Sequence, residues 1–405
     1  MPKSGGAVIP MPQNFKDLTY IVGTPEAVEE MQLVPAMIPF SDKAVSFLNG
    51  LSAKLLKTGK AFSDVITFAF WCRKAALLSE KAGYDTNELR LGRGIAFHST
   101  PSNVPVNCAF SFAAGLLAGN PNIVRLPAKP YVQVDLICAA VKDMLEEQPE
   151  MRPYAVFVKF PPVREISDYF SGICASRIVW GGDMTIADMR QSPLPPRAKE
   201  ITFADRHSIL VLNAEAVLAA ENADRMAQDF YNDTFFSDQN ACTSPRIIVW
   251  TGTDKEAAKN RFWKAVHKLA ADKYTLSPVQ AVGKLAALYR TAGQKKTHIE
   301  PHPDNFIYRL KVDTLDANLP DMKYNSGFFF EYDAESLAEI IPICSNKCQT
   351  MTYFGLDQQE IVDFIRTAGP QGIDRAVPMG KSMDFTLVWD GYDLIRELSR
   401  IVKII

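Results

Sequence analysis

Runs of Val, Ile and Phe recur along the chain with longer helix-patterned stretches between them, and no other feature restricts the fold so strongly. The apolar runs "GIAFHS" (94–99), "NIVRLP" (122–127), "YAVFVKF" (154–160) and "SRIVWGG" (176–182) have the length and β-branched content of buried strands. Between them, 103–119, 131–147 and 162–174 place apolar residues at helical spacing. Strands apolar on both faces need cover on both sides, and parallel strands joined by crossover helices provide it. A repeat of about 30 residues is the βαβαβ rhythm of a nucleotide-binding half. The expected fold class is α/β with largely parallel sheets.

A Pro-rich segment, "RQSPLPPRAKE" (190–200), interrupts the rhythm and reads as a surface linker or lobe boundary. Beyond it the pattern predicts a strand at 207–213, a long helix from Ala214 to about Phe235, and a strand at 245–250. Helices are expected at 254–271, 277–293 and 358–369, with strands near 305–312, 328–332 and 349–354. The tail "DFTLVWDGYDLIRELSRIVKII" reads as a strand followed by a helix. At 405 residues the chain is too long for one ordinary core, so two lobes and a smaller element are expected.

Composition narrows the function classes. With 47% apolar and 22% charged residues and a net charge of −2, the chain has the balance of a globular protein. It offers no basic field for nucleic acid and no Lys/Arg run for an anionic membrane. No run of about 18 apolar residues suggests a membrane span, and "MPKSGGAVIPMPQNF" does not read as a secretory leader. A cytoplasmic protein with a small-molecule or protein partner is expected. Seven scattered cysteines without a CxxC pair do not read as a disulfide framework. Cys344 and Cys348 lack further nearby ligands, and Pro301 breaks the helix that His298 and His302 of "HIEPH" would need, so no metal is expected at either place.

Three stretches have the residue types of a reaction centre. In "DQNACTSPRIIVW" (238–250), Cys242 lies between a helix and a strand, flanked by Gln239, Asn240, Thr243 and Ser244. A thiol there is a nucleophile if it is accessible and its thiolate is stabilised, and otherwise a small loop residue. Cys72, Cys108, Cys138 and Cys174 fall in apolar helical patterns and read as buried. In "HSTPSNVPVNCAF" (98–110), Ser102 or Asn103 is placed to cap a helix, or the Asn103 amide to donate to a developing oxyanion. In "VWGGDMTIADMR" (179–190), a Gly-Gly pair between strand and helix is either a plain turn or a close approach for a pyrophosphate.

Taken in order, "TPSNVPVNCAFSFAAGLLAGNPNIVRLPAK", "IVWGGDMTIADMR", "SDQNACTSPRIIVW" and "GIDRAVPMGKSMDFTLVWDGYDLIRELSRI" resemble the LuxC-like acyl-CoA reductases, a branch of the aldehyde dehydrogenase superfamily. The resemblance runs over roughly residues 90–405. It implies an aldehyde-dehydrogenase-like fold: a Rossmann-like cofactor lobe (1–200), an α/β catalytic lobe with Cys242 (201–372), and a segment (373–405) returning to the cofactor lobe or forming an oligomerisation element. It implies that Cys242 is the nucleophile and Asn103 the oxyanion-hole amide. Gly181, Gly182 and Thr185 fall where the superfamily places the pyrophosphate, and Arg125 and Lys129 where it holds the adenosine ribose. The superfamily's lysine there falls on Leu126. Two cations suit a 2′-phosphate, so NADPH is favoured over NADH. Acyl-CoA or an acyl-carrier protein is the implied substrate, an acyl-transferring protein a possible partner, and a homo-oligomer the implied assembly.

One departure bears on the reaction. Where aldehyde-oxidising members carry a glutamate base, "ITFADRHSILVLN" has Thr202, with Glu200 two residues away on the same strand face, about 7 Å distant. Without a base to activate water, an acyl-enzyme is not hydrolysed efficiently. The expected reaction is reduction of an acyl thioester to an aldehyde through S-acyl Cys242. The alternatives are an aldehyde-oxidising dehydrogenase, an acyl-phosphate reductase, and a catalytically silent scaffold that binds a partner.

Overall fold

The computed structural model describes residues 8–12, 15–84, 88–301 and 303–405. His302 of "HIEPH" and most of "MPKSGGAVIPMPQNF" lie outside the described residues. The chain divides into two compact units, residues 1–204 with 385–405, and residues 205–384. The Pro-rich segment is not the boundary. It joins the helix Asp183–Arg190 to the strand Lys199–Phe203 inside the first unit.

The first unit is built on a six-stranded sheet in the order Thr19–Val22, Ala155–Lys159, Asn122–Arg125, Ala96–Ser99, Ser176–Trp180, Lys199–Phe203. Every pairing is parallel except that of the edge strand Thr19–Val22. Successive side chains point to opposite faces, so these uniformly apolar strands feed two cores. Ala96, Val124, Phe157 and Ile178 enter one; Phe97, Ile123, Val156 and Val179 enter the other. The first core is completed by Phe47, Leu48, Leu51 and Leu55 of the helix Asp42–Thr58 and by Phe68 of the helix Ser63–Trp71. The N-terminal residues that show no recognisable motif therefore supply a covering layer. Residues 385–405 hold two two-residue strands, the short helix Leu394–Leu398, and the strand Ser399–Ile401, which pairs antiparallel with Arg90–Gly92. Leu394, Ile395 and Leu398 are buried in the first unit's core.

The second unit has a seven-stranded sheet in the order Thr297–Ile299, Tyr308–Val312, Phe328–Asp333, Pro245–Thr251, His207–Asn213, Cys348–Phe354, Arg375–Pro378. Only Thr297–Ile299 is antiparallel. Arg375–Pro378 ends this sheet, so the stretch 373–384 belongs here and not with the tail. The single long helix expected from Ala214 to Phe235 is two helices, Ala214–Ala219 and Ala223–Asp233, followed by a short 3-10 turn, Phe235–Ser237. Asn222 makes the break: its backbone is extended and its side chain accepts from Arg225 N at 2.8 Å, starting a new helix.

A buried carboxylate ties one face of this sheet to its covering helix. Glu331 accepts from the indole N–H groups of Trp250 at 2.9 Å and Trp263 at 2.7 Å, and pairs with Arg309 at 3.1 Å. Glu331→Ala strands three donors with little access to water. The expected loss is about 3–5 kcal/mol, read as a lowered unfolding midpoint in urea.

Candidate active site

In the first unit the chain reverses direction across the sheet at Ala96–Ser99. It steps from there to Asn122–Arg125 and Ala155–Lys159 on one side, then to Ser176–Trp180 and Lys199–Phe203 on the other. Loops leaving the C-terminal ends of such neighbours diverge, and the crevice between them is where open α/β sheets bind ligands. Six of the seven expected site residues lie at this edge, in its loops or on the ends of the elements that the loops join. Asn103 follows Ala96–Ser99, Gly181, Gly182 and Thr185 follow Ser176–Trp180, and Arg125 and Lys129 end and follow Asn122–Arg125.

The structure decides between several readings of these residues. Neither Ser102 nor Asn103 is the helix cap: the helix is Asn107–Leu117, and its N-cap, Val106, makes no side-chain capping bond. Asn103 sits earlier, exposed in a bend between Pro101 and Pro105, each of which disfavours helix in the residue before it. Its loop is tied down by Thr100 Oγ1 donating to Arg125 O at 2.7 Å and Tyr131 Oη donating to Ser102 O at 2.6 Å. The Gly-Gly turn is close-packed, since a Cβ on Gly181 would meet Thr185 Cβ at 2.9 Å. Gly182 is the N-cap of Asp183–Arg190 and, having no side chain, makes no capping bond to that helix start. Such a turn accepts an anion.

The two cations differ. The Arg125 guanidinium stacks 4.3 Å from the Phe160 ring centroid and donates to Phe160 O at 3.2 Å, and burial lowers its pKa. Lys129 is exposed beside the Tyr131 ring. Leu126 is buried in the core. Glu200 is occupied by two arginines: Oε2 accepts from Arg177 Nε at 2.9 Å and Nη2 at 2.5 Å, and Oε1 from Arg190 Nε at 2.7 Å. Both carboxylate oxygens of Glu200 are thus committed to these arginines.

In the second unit Cys242 lies in the loop between the turn Phe235–Ser237 and the strand Pro245–Thr251. It is the partly exposed member of the seven cysteines; the other six are buried. Burial pushes the thiols of Cys138 and Cys174 up to about 12, and those of Cys72 and Cys108 upward as well. Cys348 is raised by its contact with Cys344 and by burial. The polar neighbours of Cys242 hold the loop together. Gln239, fully buried, donates to Pro245 O and Phe328 O and accepts from Gly327 N and Phe328 N. This supports left-handed backbone at both Asp238 (φ 53°) and Gln239 (φ 52°), a strain of roughly 1–3 kcal/mol each. Ser208 Oγ donates to Cys242 O at 2.7 Å, and Ser237 and Ser244 hydroxyls meet at 3.1 Å.

Sequence reasoning missed a second loop beside Cys242. Thr243 Oγ1 donates to Met383 Sδ at 3.3 Å, so residues 380–384 lie against the Cys242 loop. Two charged side chains fix them. Asp233 accepts from Gly380 N at 2.6 Å and Ser382 N at 3.0 Å, while Arg375 donates to the carbonyls of Lys381, Ser382 and Asp384. The motif "GIDRAVPMGKSMD" carried the signal, but its partner Asp233 lies far away in sequence. Burial raises the Asp233 carboxyl to about 6 against the pull of these amides. A folded-state value above the ordinary one means the carboxyl contributes most to stability when protonated, below about pH 4, and that contribution is lost as pH rises through 6. Melting curves of wild type and Asp233→Asn from pH 4 to 7 are expected to converge or cross in that window, wild type losing on the order of 2 kcal/mol relative to the variant.

The fold is aldehyde-dehydrogenase-like. It matches the NAD-dependent benzaldehyde dehydrogenase of Corynebacterium glutamicum at a TM-score of 0.63 and 14% identity, over 93% of this chain and 86% of that one. It matches aldehyde dehydrogenase 21 of Physcomitrella patens at 0.64 and 14%, over 93% and 88%. The chain belongs to the acyl-CoA reductase (LuxC) family, whose model matches residues 29–297. Among curated proteins, the long-chain acyl-protein thioester reductase of Vibrio harveyi is 22% identical over 325 residues, 77% of this chain. The match spans 64% of that relative's length. No helix among the described residues is long and apolar enough to cross a membrane.

Proposed function

We propose that this protein reduces an acyl thioester to an aldehyde, carrying the acyl group on Cys242. The supporting observation is that Cys242 is the partly exposed thiol among six buried ones, on a loop whose own polar side chains keep it in shape. Membership of the acyl-CoA reductase family and the activity named for the Vibrio harveyi relative give the reaction class. Glu200, committed to Arg177 and Arg190, speaks against an aldehyde-oxidising enzyme, which needs a carboxylate to activate water.

The Cys242 thiolate attacks the thioester carbonyl, and the Asn103 amide, in the role the family resemblance implies, donates to the oxyanion. The donor thiolate leaves and an S-acyl cysteine remains. Reduction of this thioester would draw on the hydride that a nicotinamide cofactor, held at the Gly181–Gly182 turn, would supply. Collapse of the resulting thiohemiacetal returns the Cys242 thiolate and releases the aldehyde. The close turn at Gly181 and the uncapped helix start at Gly182 fit a pyrophosphate, with Thr185 on the same first turn. Exposed Lys129 suits a 2′-phosphate, which favours NADPH. Arg125, stacked on Phe160, supports that loop more than it offers a free charge. The donor is acyl-CoA or an acyl protein, and the working form a cytoplasmic homo-oligomer. Consumption of NADPH with a panel of acyl thioesters, and none with acyl phosphates, is the expected result; no consumption with any thioester would refute the reading.

A further inference from the structure

Four residues after Cys242, where the loop becomes the strand Pro245–Thr251, Arg246 is buried with only 6% of its surface exposed. A buried guanidinium normally has a carboxylate beside it. Arg246 has none among the described residues. Nη2 donates to Gln239 O at 2.9 Å, Nη1 donates to Asn325 Oδ1, and Nε is buried with no hydrogen-bond partner. Asn325 Nδ2 in turn donates to Asn240 Oδ1 at 2.6 Å. The cation is thus locked to both Gln239 and Asn240, inside the loop that presents Cys242.

We propose that Arg246 is the buried cation that keeps Cys242 as a thiolate, acting on the nucleophile from within its own loop. The proposal rests on the reading of Cys242 as the acyl carrier. A fixed positive charge with no counter-ion stabilises whichever anion forms near it, and a thiolate is the anion this loop provides. Burial pulls the guanidinium down to about 10, and its electrostatic interaction with Cys242 opposes that fall. The other charged groups around the loop are less well placed for the task. Lys323, repelled by Arg246, is exposed and shares its surroundings with Asp205, Asp321 and Lys347. Lys381 is paired with Asp384 at 3.2 Å. Asp238 would oppose a thiolate, but it accepts from Tyr274 Oη and from Gln280 Nε2 and interacts with buried Lys284. Arg246 is a positioning residue here, needing no contact with substrate.

The test is the pH dependence of Cys242 alkylation by iodoacetamide in the full-length protein without substrate, followed by peptide mass measurement. Wild type should alkylate with a midpoint below that of an ordinary thiol. Arg246→Met and Arg246→Gln, the latter keeping an amide donor for Gln239, should move the midpoint upward by about one to two pH units. Arg246→Lys, which keeps the charge, should retain most of the depression. Wild-type midpoints in both neutral variants, or a shift in Arg246→Lys as large as in Arg246→Met, would overturn the proposal. The measurement does not depend on turnover. A low Cys242 midpoint with no acyl-enzyme would count against the proposed reaction alone, whereas acyl-enzyme formation with an unmoved midpoint would count against Arg246 alone.

Discussion

Replacing Cys242 with alanine is expected to abolish thioester reduction, with a loss in kcat on the order of 10⁴-fold or more. The size follows from the step removed: without the thiol no covalent intermediate forms, and what survives is binding and whatever oxyanion stabilisation acts on an uncatalysed attack. The substitution removes one sulfur from a partly exposed side chain whose backbone carbonyl, held by Ser208, is untouched. Unfolding should therefore shift by well under 1 kcal/mol, which separates a chemical from a structural effect. By contrast, alanine at buried Cys108 or Cys138 should leave kcat nearly unchanged and act only on stability.

The second large effect is expected at Asn103. Removing one oxyanion donor typically costs about 10²–10³ in kcat, because the bond is stronger in the transition state than in the ground state. Asn103→Ala should show that loss with KM little altered. Its exposed side chain caps no helix, so stability should be unaffected. Were Asn103 the N-cap that its sequence position suggests, the same variant would lose about 1 kcal/mol of stability and retain its rate. The kcat loss and the melting temperature thus discriminate between the two roles that "PSNVP" leaves open.

The parallel strands at 122–125, 155–159, 176–180, 207–213 and 245–251 were legible because strands buried on both faces must be uniformly apolar. The break at Asn222 was less so, since the apolar spacing on either side continues with little change and a single side-chain cap decides it. Helices before residue 83 were missed for lack of a motif, although Ser41 accepts from Ala44 N as an ordinary cap. Cys242 stood out in the sequence by its polar loop and the family resemblance, whereas its partial exposure among seven cysteines is a tertiary property that no stretch of sequence carries. Gln239 flanks Cys242 in sequence, yet its amide is spent on four backbone groups. Arg246 and Asp233 were invisible for a related reason. Nothing in "SPRII" or "QDFYND" reveals that one is buried without a counter-ion and the other grips residues 380 and 382.

An acyl group is expected to reside on Cys242 during the reaction. Intact-mass measurement after incubation with a series of acyl-CoA thioesters, in the absence of NADPH, addresses it directly. The predicted result is an increase by one acyl group, mapped to the peptide containing Cys242, discharged as aldehyde when NADPH is added, and missing from Cys242→Ala. An equal adduct on Cys242→Ala, or turnover by wild type with no adduct at any chain length, would contradict it.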